Sequence, residues 1–132
     1  MIESFTPASQ KTRSPFSQVK KVDMGNCYLI FVSGTQPPAD ENKVVLTEDI
    51  AEQTRQVFEH IEQSLAMAGA SMDNVVRSVL YMTDMARDFA AISQVRDEFF
   101  KNSNPVSTCA EVSGFSRKGA KIEVEVTAIL PK

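Results

Sequence analysis

Residues 121–130 read KIEVEVTAIL, and the alternation in this stretch limits the possible folds more than any other feature of the chain. In an extended strand Ile122, Val124, Val126, Ala128 and Leu130 fall on one face, and Glu123, Glu125, Thr127 and Ile129 on the other. An apolar face of that length must be covered, so the chain has to build a sheet packed against a second layer. Two segments can supply the cover. From about Thr47 to Ala68 the residues Ile50, Val57, Phe58, Ile61, Leu65 and Ala68 recur at helical spacing, with Glu52, Arg55, Glu59 and Glu62 between them. Thr47 is the expected N-cap of this helix, and Gly69 the residue that ends it. A second helix is expected over Met85 to Phe100, capped by Asp84, with Phe89, Ile92, Val95, Phe99 and Phe100 as its apolar stripe.

The remaining β-prone runs complete the sheet. Residues 19–24 and 27–33 flank Gly25-Asn26, a pair suited to a hairpin turn, and the proline-bearing stretch 34–43 reads as a loop. Residues 75–83 and 106–112 are further strands. The predicted order is ββαβαββ: an α+β fold with a mixed sheet, two helices on one face, and a single domain over residues 1–132. In the strand 106–112, alternation separates Val106, Thr108, Ala110 and Val112 from Ser107, Cys109 and Glu111. Placing the apolar set inward puts Ser107 and Cys109 on the face of Glu123 and Glu125. A face so mixed meets either water or another subunit.

Bulk properties exclude several classes of function. With 42% hydrophobic and 23% charged residues the chain has the composition of a folded protein rather than a disordered one. A net charge of -3 with scattered lysines and arginines gives no field for phosphate backbones, so nucleic acid is not an expected partner. No run of about 18 apolar residues is present, and the opening MIESFTPASQ does not resemble a secretory leader; no membrane association and a cytoplasmic location are expected. Cys27 and Cys109 share no metal-binding spacing with each other or with His60, the one histidine. Neither a metal nor any other cofactor is expected.

Particular residues then point to a family. SPFSQ (14–18), VSGTQP (32–37), QTRQVFEHIEQSLAMAGAS (53–71), RSVLYMTDMARDF (77–89), NPVSTCAEV (104–112) and KIEVEVTAI (121–129) resemble, in order and spacing, the corresponding stretches of YjgF/Rid (RidA-like) proteins. The resemblance implies a chorismate-mutase-like α+β fold assembled as a homotrimer, with small-molecule sites in the clefts between subunits. It also implies hydrolysis of reactive enamines and imines to ketoacids and ammonia without a cofactor. In the family an arginine in a P-A-R-S-C run holds the substrate carboxylate, and the neighbouring Cys segment contributes a main-chain group. A glutamate of the last strand positions water, and an N-terminal tyrosine and a helix asparagine complete the site.

Carried over by residue, Pro105, Cys109, Glu123, Ser33 and Gly34 match, whereas the arginine falls on Ser107, the tyrosine on Phe16 and the asparagine on Ser93. Thr108 lies between the two β-strand candidates. A serine hydroxyl cannot reproduce the charged, bidentate fork of a guanidinium. Arg117 and Lys118, in the loop before the last strand, and Arg13, before SPFSQ, are the nearby cations; of these Arg117 is the candidate replacement. Glu123 is the candidate catalytic residue, able to take a proton from water attacking a C=N carbon; its alternative role is to hold a main-chain amide or a neighbouring subunit. Cys109 has no histidine partner within the sequence pattern, so it reads as a lining residue rather than a nucleophile. Phe16 can close an apolar lid without donating a hydrogen bond, and Ser93 can serve in helix packing. Three classes of function remain: a Rid-type deaminase, with an aminomuconate-type compound as one substrate option; a trimeric module binding a metabolite or partner without turnover; and an endoribonuclease or translation inhibitor, which the charge disfavours.

Overall fold

The alternation of the C-terminal segment does produce the central strand of the structure. The computed structural model describes residues 1–8 and 14–132. In chain order its elements are β1 (Ile2–Phe5), β2 (Val19–Asp23), β3 (Cys27–Thr35), α1 (Ile50–Met67), a 3-10 turn (Met72–Asn74), β4 (Val75–Met82), α2 (Met85–Phe100), β5 (Val106–Glu111) and β6 (Ile122–Pro131). The strands form one sheet in the order β1-β2-β3-β6-β4-β5. β4 and β5 are parallel, joined by α2 as a crossover, and every other pair is antiparallel. β6 is therefore enclosed by β3 and β4, and β5 forms one edge.

Both helices lie on the face to which Ile122, Val124, Val126 and Ala128 point, and all four of these side chains are buried. Val57, Phe58, Ile61 and Leu65 of α1 and Ile92 and Val95 of α2 close over them. The helices meet through the ring of Phe58, stacked on Phe99 at 5.1 Å and edge-on to Phe100 at 5.2 Å between centroids. Gly69, at φ +83°, ends α1 as its position predicts. Asp84 caps α2 by accepting the Arg87 amide at 3.0 Å.

Four expectations are corrected. The fold has a strand before residue 19: β1 pairs with β2 along Ile2 to Phe5, giving βββαβαββ. At four exposed or half-exposed residues it carries too little pattern to stand out alone. The cap of α1 is Asp49, whose carboxylate accepts the Glu52 amide at 2.9 Å; Thr47 supports it by accepting the Asp49 amide at 3.2 Å. Phe89 does not join the core but is 39% exposed, while its neighbour Asp88 is buried beneath an Arg87 guanidinium that donates to both carboxylate oxygens.

The fourth correction concerns the site. Register pairs Ser107 with Ser78 and Cys109 with Leu80, both residues of the helix-facing side, whereas Tyr81 pairs with Glu123 and Val79 with Glu125 on the open side. Ser107 and Cys109 thus lie on the opposite face of the sheet from Glu123. At the edge strand the covering layer is only the flank of α2, so polar residues belong underneath it, and Val106, 68% exposed, turns outward.

Because Phe58 joins α1 to α2 and has no exposed surface, its loss should open a cavity that neither helix can fill. Phe58→Ala is expected to cost about 3–5 kcal/mol in urea unfolding, as buried phenylalanine truncations do; a change below about 1 kcal/mol would mean the helices are not packed through this ring.

Candidate functional site

The sequence candidates form two groups, one on each face of the sheet. On the open face the pairing of β3 with β6 shifts register between Val32 and Thr35, which leaves Ser33 and Gly34 as an irregular pair at the end of β3. Glu123, from β6, lies directly over Gly34. A Cβ built on Gly34 would come within 2.8 Å of both Cδ and Oε2 of the glutamate, so the absence of a side chain there sets the position of the carboxylate. Gln36 then fixes its orientation: Nε2 donates to Glu123 Oε1 at 3.2 Å and to Ser116 Oγ at 3.0 Å, while Oε1 accepts the Arg117 amide at 3.1 Å. Glu123 Oε2 has no hydrogen-bond partner among the described residues and is open to a water or a ligand.

Ser33 ties the N-terminal segment to this cluster. Its hydroxyl donates to the Ser17 carbonyl at 2.9 Å and its amide to the Gln18 carbonyl at 2.8 Å. Gln18 is buried and donates to Thr35 Oγ1 at 2.8 Å. The segment so pinned carries Phe16, whose ring is 58% exposed and free to cover a neighbouring surface. Tyr81 stands opposite Glu123 in the β4–β6 ladder and donates to Glu125 Oε1 at 2.5 Å; this bond holds the phenol above its ordinary pKa.

Arg117 is half-buried beside this cluster, and burial pushes its pKa below the ordinary arginine value. Its Nη1 donates to the Pro37 carbonyl at 2.7 Å and to the Gln36 carbonyl at 3.4 Å. The guanidinium thereby braces the loop that carries Gln36. Arg13 lies outside the described residues.

On the helix-facing side, Ser78 donates to Ser107 Oγ at 3.1 Å. Cys109 Sγ accepts from Nη1 of Arg96, on α2, at 3.8 Å. Ser93 stands one turn before Arg96, with a hydroxyl oxygen shielded from solvent and no hydrogen-bond partner among the described residues. Residues 89, 93, 96 and 100 fall within about 60° on a helical wheel, so the exposed Phe89 belongs to the same flank as Ser93 and Arg96. Between the end of α2 and β5 opens a concavity of about 350 Å³, lined by Arg96, Phe100, Lys101, Pro105 and Ser107 among others. Thr108, on the open side of the edge strand, is exposed, and no described strand pairs with the outer edge of β5. Among the described residues no group of three or more His, Cys, Asp and Glu side chains could hold a metal ion.

Gln36, Tyr81 and Arg96 are the site residues that sequence reasoning misses. Tyr81 was accessible in principle, since alternation within β4 places it on one face, but the other two depend on tertiary contacts between loops or between a helix and an edge strand.

Two outcomes follow from this geometry. Gly34→Ala should fold normally, because the clash falls on the mobile end of a glutamate and the backbone at Gly34 is not left-handed, but it should displace the Glu123 carboxylate and remove most Glu123-dependent activity; full activity in the Gly34→Ala variant would show that the carboxylate position is immaterial. His60 on α1 is held below its ordinary pKa, first by burial and then by the Arg117 charge. Below pH about 6.5 the unfolded chain binds a proton that the folded chain resists, so this residue's contribution to stability is present above that pH and is lost as pH falls. Urea midpoints measured between pH 7.5 and pH 5 should fall less in His60→Gln than in the parent; parallel curves would contradict the assignment.

Comparison with known proteins identifies the family of the chain. The family model for endoribonuclease L-PSP matches residues 6–130. A RutC family protein of Pyrococcus abyssi is 40% identical over 124 residues, covering 94% of this chain and 93% of that protein. The 3-aminoacrylate deaminase RutC of Acinetobacter baylyi is 35% identical over 115 residues, covering 87% of this chain and 86% of its own. Among solved structures, Rv2704 of Mycobacterium tuberculosis, a member of the YjgF/YER057c/UK114 family, superposes with a TM-score of 0.80 at 28% identity over 97% of this chain and 98% of that one. The fold, the ordered motifs and these matches agree that the chain belongs to the endoribonuclease L-PSP family, the YjgF/YER057c/UK114 or Rid proteins.

Proposed function

We propose that this chain is a Rid-type deaminase that hydrolyses a small enamine or imine and releases ammonia in a cleft shared by two copies of a homotrimer. The observation that carries the reading is the separation of the candidate residues. Glu123, Ser33, Gly34 and Phe16 belong to the open face, and Ser107, Cys109 and Ser93 to the opposite, helix-facing side. One chain cannot bring both sets to one substrate, but two copies can, because the open face of one and the β5 edge of the next are both exposed.

The chemistry follows from the open-face set. An enamine tautomerises to its imine, and water adds to the C=N carbon as Glu123 Oε2 takes the water proton. Glu123 passes that proton to the imine nitrogen, giving a neutral carbinolamine. The carbinolamine hydroxyl then gives its proton, by way of the same carboxylate, to the amino group as the C–N bond breaks, so the carbonyl forms, ammonia leaves and Glu123 ends as it began. Gln36, by occupying Oε1, orients Oε2 for the water. The relative named as a 3-aminoacrylate deaminase supports a carboxylate-bearing enamine as the substrate class.

A second reading, binding without turnover, is favoured by the family resemblance, which puts Ser107 where the deaminases carry their anchoring arginine. Ammonia release decides between them. With 2-aminoacrylate, 2-iminobutyrate, 3-aminoacrylate and an aminomuconate-type compound as substrates, the chain should accelerate hydrolysis of at least one, and Glu123→Ala should lower that rate by about 10²-fold or more. Rates equal to the uncatalysed reaction on all four would leave the binding module as the function.

A further inference from the structure

We infer that Arg96, on α2, is the anion anchor of the helix-side half of the site, and that with Ser107 it binds the carboxylate of a small acid in the concavity between α2 and β5. The inference rests on the deaminase reading for the identity of the acid, but its structural basis is separate. Each of the other arginines among the described residues is committed or misplaced. Arg117 donates to the Gln36 and Pro37 carbonyls, Arg87 to Asp88, and Arg55 to Glu98. Arg77 pairs with Thr127 and so belongs to the open face, across the sheet from Ser107.

Arg96 combines three properties. Its side chain is only 20% exposed, so its charge is poorly screened, and it lines the same concavity as Ser107. Its commitments are weak: Nε donates at 3.0 Å to Asp97, a carboxylate that is itself 69% exposed, and Nη1 reaches a sulfur at 3.8 Å. Because Asp97 is the exposed partner and can turn to solvent, the pair yields to an anion better placed in the concavity. Of the five N–H donors, those on Nη2 meet no acceptor among the described residues, leaving an edge of the fork for a ligand. Ser107 complements it. Its exposed hydroxyl lies 3.1 Å from the buried Ser78 Oγ, and when Ser78 is the donor of that bond the Ser107 proton can turn toward the concavity. Lys101 adds positive potential at the rim. The charge missing from β5 is thus supplied by the neighbouring helix, on the same side of the sheet.

The test uses the full chain with pyruvate as the charged probe and propionamide as the neutral one, followed by calorimetry, alongside steady-state ammonia release. Arg96→Gln should weaken pyruvate binding about 30-fold or more while leaving propionamide unchanged, as loss of a charge-assisted fork requires. Arg96→Lys should recover part of the affinity, since it keeps the charge and loses the fork. Ser107→Ala should cost less, about tenfold. Arg55→Gln, which removes an exposed arginine that does not line the concavity, should match the parent. On a carboxylate-bearing enamine Arg96→Gln should raise KM far more than it lowers kcat. Equal pyruvate affinity in parent and Arg96→Gln, or no pyruvate binding by the parent, would overturn the assignment. Should Glu123-dependent turnover persist with an unchanged KM in Arg96→Gln, the anchor fails and the deaminase reading stands. Should pyruvate binding depend on Arg96 while no enamine is turned over, the anchor stands and the deaminase reading fails.

Discussion

The pairing of β6 with β3 on one side and β4 on the other sets both halves of the molecule's design. Its inward residues, from Ile122 to Ala128, are the floor on which α1 and α2 close, and burial of that floor fixes which face of the strand looks outward. A slip of one residue would turn Glu123 into the core and expose Ile122 and Val124, so the apolar burial that stabilises the sheet also holds the acid in place. The register irregularity in β3 then brings Gly34 beneath Glu123, and the loop that follows supplies Gln36 to orient it. Fold stability and site geometry rest on the same hydrogen-bonded ladder.

The parallel pairing of β4 with β5 has the opposite effect, since it sends Ser107 and Cys109 to the far side of the sheet from Glu123. Each half is built differently. The open-face half is held by directional hydrogen bonds, from Ser33 to the Ser17 carbonyl and from Gln36 to Glu123, Ser116 and the Arg117 amide, and is suited to holding a water in one position. The helix-side half is a shallow concavity whose two cations, Arg96 and Lys101, outnumber its one carboxylate, Asp97, and it is suited to gripping a charged end. A substrate with a carboxylate at one end and a C=N carbon at the other spans such a divided site if a second copy brings the halves together. The exposed Phe16, Phe89 and Val106 are then surfaces kept for that neighbour rather than failures of burial.

Most of the architecture was legible in the sequence because period and punctuation agreed. The α2 boundaries and its Asp84 cap, the end of α1 at Gly69 and the inward face of β6 were all readable from side-chain spacing and capping chemistry. What escaped depends on partners distant in sequence. β1 is a strand only because β2 offers it an edge, and Thr47 lost the cap to Asp49 because two competent capping residues lay one short turn apart. Alternation in β5 showed that Ser107 and Val106 differ in face but not which face was covered; placing the apolar set inward failed because the flank of α2 over this edge strand carries Ser93 and Arg96 beside its phenylalanines. The family resemblance pointed to Glu123, Ser33 and Gly34 as candidates, and the structure brings these three together. Gln36 and Arg96 carried no signal of their own, since a loop glutamine and a helix arginine are ordinary solvent-facing residues until the fold brings them against Glu123 and Cys109.

Subunit complementation tests the divided site most directly. Glu123→Ala disables the open-face half and Ser107→Tyr fills the concavity of the other half, so each variant alone should be inactive. Unfolded together at equal amounts and refolded, they should regain about one quarter of the parent's turnover, because three of every four randomly assembled trimers are mixed and each mixed trimer has one cleft with both halves intact. A mixture as inactive as its components, with mixed trimers confirmed by native mass spectrometry, would mean that each chain carries its site alone and would contradict the account.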